Sequence, residues 1–375
     1  MRRLLPILLA FAFSLPALGE GTLTAPYIAA SSYYLLEVES GQPLAALNPD
    51  QRVEPASLTK LMTAYLAFKV LRDRTLVPSQ TVPVSQQAWK AEGSRMFIDP
   101  MKPVTVDELI HGMIIQSGND ASIALAEAIA GSEPAFVDRM NRQAADLGMT
   151  NTHFANATGL PHPQHYSTAH DLALLSAALI HDFPEYYPLY AIKEYRYNGI
   201  TQPNRNRLLW VDTTVDGLKT GHTETAGYCL ISSAHRGERR LLAVVLGTNS
   251  DLARTTESQK LLNWGFQTFE SQRLFQKNVP VRPLPVFKGA SREVRAGFSE
   301  DVWMTFPAGE GAKARQTLIT LQPIVAPVAA GQKLGTLEIR YDDKPVAVHD
   351  LVALEPVPIG NAFTRGWDTI RLMLK

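Results

Sequence analysis

Pro55-Ala-Ser-Leu-Thr-Lys60 is the stretch that decides the fold, because it places a serine and a lysine three residues apart at the start of a strongly helical pattern. Pro55 can occupy the first turn of a helix without losing a hydrogen bond. Dense apolar residues follow, as in a helix buried on most sides. These residues are Leu61, Met62, Ala64, Tyr65, Leu66, Phe68 and Leu71. The stretch predicts a buried helix over residues 57–72 with two polar side chains at its beginning.

Ser57 and Lys60 lie on one face of this predicted helix, since residues three apart are neighbours on a helix surface. A serine hydroxyl becomes a nucleophile when a neighbouring base takes its proton. A lysine can be that base if burial and a second cation lower its pKa. The spacing alone also fits an ordinary amphipathic helix start, so further motifs must decide between the two interpretations.

Two further motifs favour the catalytic interpretation. Ser117-Gly-Asn119 lies between two apolar helical patterns, and Lys219-Thr-Gly221 precedes Tyr228-Cys-Leu-Ile-Ser232, which is typical of a strand. Ser-x-x-Lys, Ser-x-Asn and Lys-Thr-Gly in this order resemble the motif set of penicillin-binding proteins and serine β-lactamases.

The length, charge and cysteine content of the chain limit the possible domain number, partners and disulfides. The chain has 375 residues, enough for two domains, and 36 Lys and Arg balance 36 Asp and Glu. This balance does not indicate a nucleic-acid partner. Cys229 is the one cysteine, so no intramolecular disulfide can form, and its apolar surroundings predict a small buried side chain.

The N-terminus predicts a signal peptide over residues 1–19. Arg2-Arg3 precedes an apolar run from Leu4 to Leu15, and Ala17-Leu-Gly19 supplies the small residues of a cleavage site. An uncleaved anchor is the alternative, but the run is shorter than the roughly 20 residues of a membrane span. We therefore expect export to the periplasmic face of a bacterial inner membrane.

Residues 20–278 predict an α/β sandwich, in which an antiparallel sheet is flanked by helices. We expect a hairpin over residues 31–48, paired with the strand that follows Lys219-Thr-Gly221, and a central strand over residues 240–247. The further predicted helices cover residues 106–116, 120–131, 134–147, 168–182 and 255–270, and Ser167 or Thr168 caps the fourth of these.

Residues 279–356 predict a small antiparallel β domain, because prolines and short alternating runs replace the helical periodicity. The predicted strands include Val302-Trp-Met-Thr-Phe306, Thr317-Leu-Ile-Thr-Leu321 and a hairpin through Asp342-Asp-Lys-Pro345. This domain has no catalytic motif, and we expect a spacer or docking role.

Residues 357–375 predict an amphipathic helix that lies on the inner-membrane surface. Phe363, Trp367, Ile370 and Leu374 share one face, whereas the charged residues Arg365, Asp368, Arg371 and Lys375 lie elsewhere. Packing of this helix on its own β domain is the alternative.

The chain resembles the low-molecular-mass penicillin-binding proteins that act as D-alanyl-D-alanine carboxypeptidases, of the penicillin-binding protein 5 type. Besides the three motifs, the resemblance includes Asn48-Pro-Asp50, Asn151-Thr-His-Phe154, Gln202-Pro-Asn-Arg-Asn206 and Lys260-Leu-Leu-Asn-Trp-Gly-Phe266. It implies that the protein removes the terminal D-alanine from peptidoglycan stem peptides, that β-lactams inhibit it covalently, and that it needs no cofactor or metal.

The resemblance also implies roles for the motif residues. Ser57 is the nucleophile, Lys60 the general base, Ser117 a proton relay to the leaving amine, and Asn119 a ligand of the substrate amide. Lys219 keeps the site electropositive and so lowers the pKa of Lys60.

The resemblance also implies which residues bind the substrate. Thr220, beside Gly221, holds the terminal carboxylate together with Arg254. Arg205 either joins them or braces the Lys219 strand. The backbone N–H groups of Ser57 and His222 form the oxyanion hole.

Four alternatives remain open on the sequence. A β-lactamase or an endopeptidase could use the same motifs, although no Glu-x-x-Leu-Asn stretch lies between Asn119 and Lys219. A metal-dependent peptidase could use His153, His162, His165 and His170, although their spacing matches no zinc motif and the proline-rich segment is more typical of a surface turn. A non-catalytic wall-binding scaffold is the fourth.

Overall fold

The structure is a computed structural model that describes residues 23–374. The predicted signal peptide and Lys375 lie outside these residues. In chain order the strands are β1 Ser32–Glu37, β2 Gln42–Leu47, β3 Thr81–Val82, β4 Val104–Thr105, β5 Glu194–Tyr197, β6 Ile200–Pro203, β7 Val215–Thr223, β8 Gly227–Arg236, β9 Arg239–Thr248, β10 Phe269–Phe275, β11 Arg282–Phe287, β12 Glu293–Gly297, β13 Val302–Pro307, β14 Ala314–Thr320, β15 Ile324–Val325, β16 Lys333–Tyr341 and β17 Lys344–Ala353.

The helices are α1 Lys60–Arg72, α2 Gln86–Trp89, α3 Val106–Ile115, α4 Asn119–Ala130, α5 Glu133–Asp146, α6 Ala169–Asp182, α7 Leu208–Val211, α8 Asp251–Thr268 and α9 Ala362–Met373. The longer helices agree closely with the predicted segments, whereas the short helices α2 and α7 were not predicted. Thr168 caps α6, where its side chain accepts a hydrogen bond from the Asp171 N–H. Helix α8 begins four residues before the predicted start, because Ser250 caps it in the same way.

An antiparallel sheet with the order β2-β1-β9-β8-β7 forms the centre of the first part of the chain. Strand β9 is central, as predicted. The predicted pairing of the β1–β2 hairpin with the strand after Lys219-Thr-Gly221 is wrong, since β1 pairs with β9 instead. Strand β8 pairs with its sequence neighbours on both sides and has no free edge, and the hairpin adds to the free edge of β9.

Helices cover both faces of this sheet, which gives the predicted α/β sandwich. Side chains alternate along each strand, so Leu36 and Val244 join the large core formed with α1, α3, α4 and α6. Leu35 and Val245 point to the opposite face and pack with Leu261 of α8. Helix α1 is buried along most of its length and carries Lys60 into this interior.

The C-terminal β domain has its own core beneath a sheet of order β14-β16-β17-β12-β11-β15, and the hairpin through Asp342 is present as predicted. Strand β10 directly follows α8 and pairs with β13.

Helix α9 contacts the β domain through its polar side. Asp368 is buried, and its carboxylate accepts a hydrogen bond of 2.6 Å from the Lys288 N–H. The apolar side chains point outward and are exposed, namely Phe363, Trp367, Ile370, Met373 and Leu374. Helix α9 thus contacts its own β domain, as the alternative states, but its apolar face takes no part in that contact. Within residues 23–374, no helix has the length and apolar character that crossing a membrane requires.

Candidate active site

The chain enters α1 through a 3-10 helix, Ala56–Thr59, which places Ser57 directly beside Lys60. The Lys60 amine is 3.1 Å from the Ser57 hydroxyl oxygen, 2.7 Å from the Asn119 side-chain oxygen and 2.5 Å from the Thr158 carbonyl oxygen. These three acceptors satisfy an ammonium group, and loss of one proton frees a lone pair for the Ser57 hydroxyl. The predicted serine–lysine pair is thus within hydrogen-bond distance.

The environment of Lys60 favours its neutral form. Burial and then the positive charge of Arg205 lower the pKa of the amine, the negative charge of Asp120 raises it, and the net pKa is about 7. A lysine with this pKa can take a proton from Ser57 near neutral pH.

Ser117 and Lys219 form a second serine–lysine pair in the same site. Lys219 lies within β7, and its amine donates to the Ser117 hydroxyl at 2.9 Å and to the Thr220 carbonyl at 3.1 Å. Burial, followed by the charges of Lys60, Arg205 and Arg254, holds the pKa of Lys219 well below its usual range. Arg205 is a further cation that lowers the pKa of Lys60, one that the sequence expectation did not name for this effect.

Asp120 is a positioning residue that the sequence reasoning did not single out. It is buried beside Asn119, and its carboxylate accepts hydrogen bonds from the backbone N–H groups of Met96, Phe97 and Ile98 at 2.8–3.2 Å. The Asn119 amide donates to the Glu92 carbonyl at 2.6 Å. Together these bonds hold one wall of the site against the start of α4. The sequence feature that could have indicated Asp120 is an acidic residue in the first turn of a helix predicted to be buried.

A loop over residues 156–159 supplies the Thr158 carbonyl, and Gly159 permits its close approach. The φ angle of Gly159 is +85°, and a Cβ there would lie 1.8 Å from the Ala56 carbonyl oxygen. His165 lies behind the loop, where its Nε2 is 2.8 Å from the Thr59 hydroxyl and its Nδ1 accepts from the Ala155 N–H at 3.1 Å.

The expectation of a surface turn is wrong for His165, which is buried, whereas His162 is exposed. Burial lowers the pKa of His165 to about 4. Within residues 23–374 no cluster of His, Cys, Asp or Glu has the arrangement of a metal site.

The two serines open into a cavity of about 550 Å³. Its lining residues are Ser57, Ser94, Ser117, Pro203, Asn204, Arg205, Arg207, Thr220, Gly221, His222, Tyr228, Asp251 and Arg254. Gly221 lets β7 approach the 3-10 helix, since a Cβ there would lie 3.1 Å from the Pro55 carbonyl oxygen. His222 is exposed and packs on the Tyr228 ring, with ring centres 4.1 Å apart.

The two predicted arginines differ in their surroundings. Arg254 is buried, and its guanidinium donates to the Gly221 and Cys229 carbonyl oxygens and to the Asp251 carboxylate. Arg205 is exposed at the cavity wall. Asn206 braces the Lys219 strand through a 2.9 Å hydrogen bond to the Gly217 carbonyl, and bracing by Arg205 stays a prediction.

This arrangement is typical of a serine enzyme of acyl transfer, because a serine hydroxyl lies beside a lysine amine of lowered pKa and opens into a cavity lined by cationic side chains. Comparison with known proteins narrows the class. Residues 20–250 match the peptidase S11 family, D-alanyl-D-alanine carboxypeptidase, and residues 269–358 match the C-terminal domain of penicillin-binding protein 5. The chain therefore belongs to the S11 family of serine-type D-alanyl-D-alanine carboxypeptidases.

Individual relatives agree with this assignment. The D-alanyl-D-alanine carboxypeptidase DacC of Escherichia coli is 42% identical over 94% of this chain and 90% of its own length. The structure of penicillin-binding protein 5 from Haemophilus influenzae superposes with a TM-score of 0.83 at 39% identity, covering 90% of this chain and all of that one. Penicillin-binding protein D2 from Listeria monocytogenes, solved in its ampicillin-bound form, superposes with a TM-score of 0.60 at 32% identity, covering 65% of this chain and 99% of that one.

Gly159→Ala tests the approach of the Thr158 loop. Gly148→Ala is the matched control, because Gly148 has a similar φ of +76° but open space around it. The control should lose about 1–2 kcal/mol from its left-handed backbone alone. Gly159→Ala should lose more stability in urea unfolding and should slow acylation by benzylpenicillin, because the loop must move away from Lys60. Equal effects of the two substitutions would contradict this role.

Proposed function

We propose that Ser57 carries the acyl group in a D-alanyl-D-alanine carboxypeptidase reaction on peptidoglycan stem peptides. The observation that supports this proposal is the Lys60 amine, which bridges Ser57 and Asn119 with a pKa of about 7. Lys60 takes the Ser57 proton, and the serine oxygen attacks the carbonyl carbon of the penultimate D-alanine. The backbone N–H groups of Ser57 and His222 bind the resulting oxyanion.

Collapse of this intermediate breaks the peptide bond and releases D-alanine. The leaving amine takes its proton through Ser117, which is 2.9 Å from the Lys219 amine and so has a proton donor at hand. Asn119 orients Lys60 through its side-chain oxygen. Exchange with solvent then removes the proton that Lys60 took from Ser57 and restores the proton that Lys219 gave, so both lysines return to their starting states. Water attacks the serine ester, Lys60 takes a proton from this water, and the same proton passes to the Ser57 oxygen as the ester bond breaks.

Binding of the terminal carboxylate falls to Arg205 and Thr220. Both line the cavity, and an arginine fork matches two carboxylate oxygens. Arg254 has its donors directed at two carbonyls and Asp251, so we assign it to holding β7 in place. We also propose that β-lactams enter the same cavity and acylate Ser57. The Listeria relative has been solved in ampicillin-bound and cefotaxime-bound forms.

We further propose that the mature protein works at the periplasmic face of the inner membrane and that α9 lies on the lipid surface. The exposed row of Phe363, Trp367 and Ile370 supports this, because its polar opposite side already contacts the β domain.

Release of D-alanine is the first test. The purified chain is incubated with a stem peptide ending in D-alanyl-D-alanine, and Ser57→Ala serves as the control. We expect release by the wild type and none by the variant, while Lys60→Ala slows acylation by penicillin without removing binding. Penicillin labelling without release would favour the β-lactamase or endopeptidase alternative. A covalent adduct on Ser57→Ala would refute the nucleophile, and no reaction in either assay would favour the scaffold.

The pH dependence of acylation tests Lys60. Protonated Lys60 cannot accept the serine proton, so the rate should fall about tenfold per pH unit below about 7 and level off above it. Arg205→Gln should move this midpoint upward, because it removes a positive charge that lowers the pKa of Lys60. The matched control is Arg295→Gln in the β domain, which should leave the midpoint in place. An unchanged midpoint in Arg205→Gln would count against this electrostatic link.

Vesicle binding tests the tail helix. Phe363→Ser with Trp367→Ser should lower co-sedimentation with phosphatidylethanolamine–phosphatidylglycerol vesicles at least about tenfold, since each buried aromatic ring is worth about 1.5–3 kcal/mol. Val346→Ser with Val348→Ser removes an exposed apolar pair from β17 and should change nothing. D-Alanine release should persist in both. Equal binding by all three proteins would exclude α9 as the lipid contact.

A further inference from the structure

Asp251 is the only acidic side chain that lines the cavity within the described part of the chain. Three arginines surround it, namely Arg205, Arg207 and Arg254. An anionic substrate end should avoid a carboxylate here unless that carboxylate is already paired. The pairing of Asp251 therefore determines which cation is available to the substrate.

Both carboxylate oxygens of Asp251 are engaged. One accepts a hydrogen bond from Arg254, whose side chain is only 8% exposed, and the other lies 2.5 Å from the Arg207 Nε. A buried guanidinium without a counter-ion is costly, so Asp251 stabilises Arg254 in its place.

The position of Asp251 links separate parts of the cavity wall. It is the first residue of α8, after the Ser250 cap. Through Arg254 it reaches the Gly221 carbonyl on β7 and the Cys229 carbonyl on β8. Through Arg207 it holds the segment that carries Arg205, two residues earlier in the chain.

Arg205 is the guanidinium that this network leaves facing the cavity. Partial desolvation in the cavity wall and the charge of Arg254 lower the pKa of Arg205, and the negative charge of Asp251 opposes both. Asp251 therefore attracts the Arg205 guanidinium electrostatically.

We propose that Asp251 is a positioning residue of the carboxylate subsite, which fixes Arg254 directly and Arg205 through Arg207. The inference rests on the proposed function, because it concerns the subsite for the terminal carboxylate of the same substrate. It predicts that Asp251 affects the binding of that carboxylate rather than the acylation chemistry.

The test compares a peptide ending in D-alanyl-D-alanine with the same peptide amidated at its C-terminus, using the full chain. Asp251→Asn should raise KM for the free carboxylate about tenfold, the order expected from one charge-assisted hydrogen bond, while kcat stays within about threefold. KM for the amidated peptide should change less than about twofold, because a terminal amide lacks the two carboxylate oxygens that pair with a guanidinium.

Arg207→Gln is the second variant, and it keeps the test valid if Asp251→Asn folds poorly. Its side chain is 63% exposed, so we expect a smaller rise in KM of about threefold. The double variant should be no worse than Asp251→Asn alone, since both break one network. Glu257→Gln removes the acid of the Lys260 pair on the same helix, outside the cavity lining, and should leave KM unchanged.

Three results would overturn the proposal. An unchanged or lowered KM of Asp251→Asn for the peptide with a free carboxylate would show that Asp251 only competes with that carboxylate for the arginines. Equal rises for both peptides would indicate general distortion, and additive effects of the two substitutions would show that they act independently. If the wild type releases no D-alanine, the proposed function fails separately. The acylation rates by benzylpenicillin and its methyl ester then replace KM in the same comparison, with the same ratios expected.

Discussion

Burial of the Lys60 amine is the constraint on which the rest of the site depends. Moving an ammonium group out of water costs several kcal/mol, so the fold must supply acceptors at close range or let the group lose its proton. Three acceptors meet the amine, and they come from the 3-10 helix before α1, the first residue of α4 and the loop over residues 156–159. Movement of any of these elements would expose the Lys60 amine to water or remove one of its three acceptors.

A second layer of contacts keeps those acceptors in place. Asp120 holds the backbone of residues 96–98, and the segment just before them contacts Asn119 through the Glu92 and Ser94 carbonyl oxygens. The side-chain oxygen of Asn156 accepts hydrogen bonds from the backbone N–H groups of Thr158 and Gly159, which fixes the loop at Thr158. These bonds hold the three acceptors at fixed distances from the Lys60 amine.

The sequence predicted the parts of this site that depend on local geometry. Ser57 and Lys60 are brought together by helical spacing, and the cap at Thr168 follows from its side-chain chemistry. The pairing of β1 with β9 could not be predicted in this way, since it depends on which strand edge remains free after β7, β8 and β9 have paired. The buried state of His165 likewise depends on Thr59, which is 106 residues away in the chain.

The two kinds of cation in the cavity separate binding from proton transfer. Both lysines have lowered pKa values, so their charge varies with pH near neutrality or below the usual lysine range. An arginine remains protonated at any pH at which the protein functions. If Arg205 holds the substrate carboxylate, as we propose, that carboxylate stays bound while Lys60 gains or loses its proton, and the positive charge of Arg205 in turn lowers the pKa of Lys60. Had a lysine filled the position of Arg205, the substrate-binding charge and the base would have titrated together, each shifting the other.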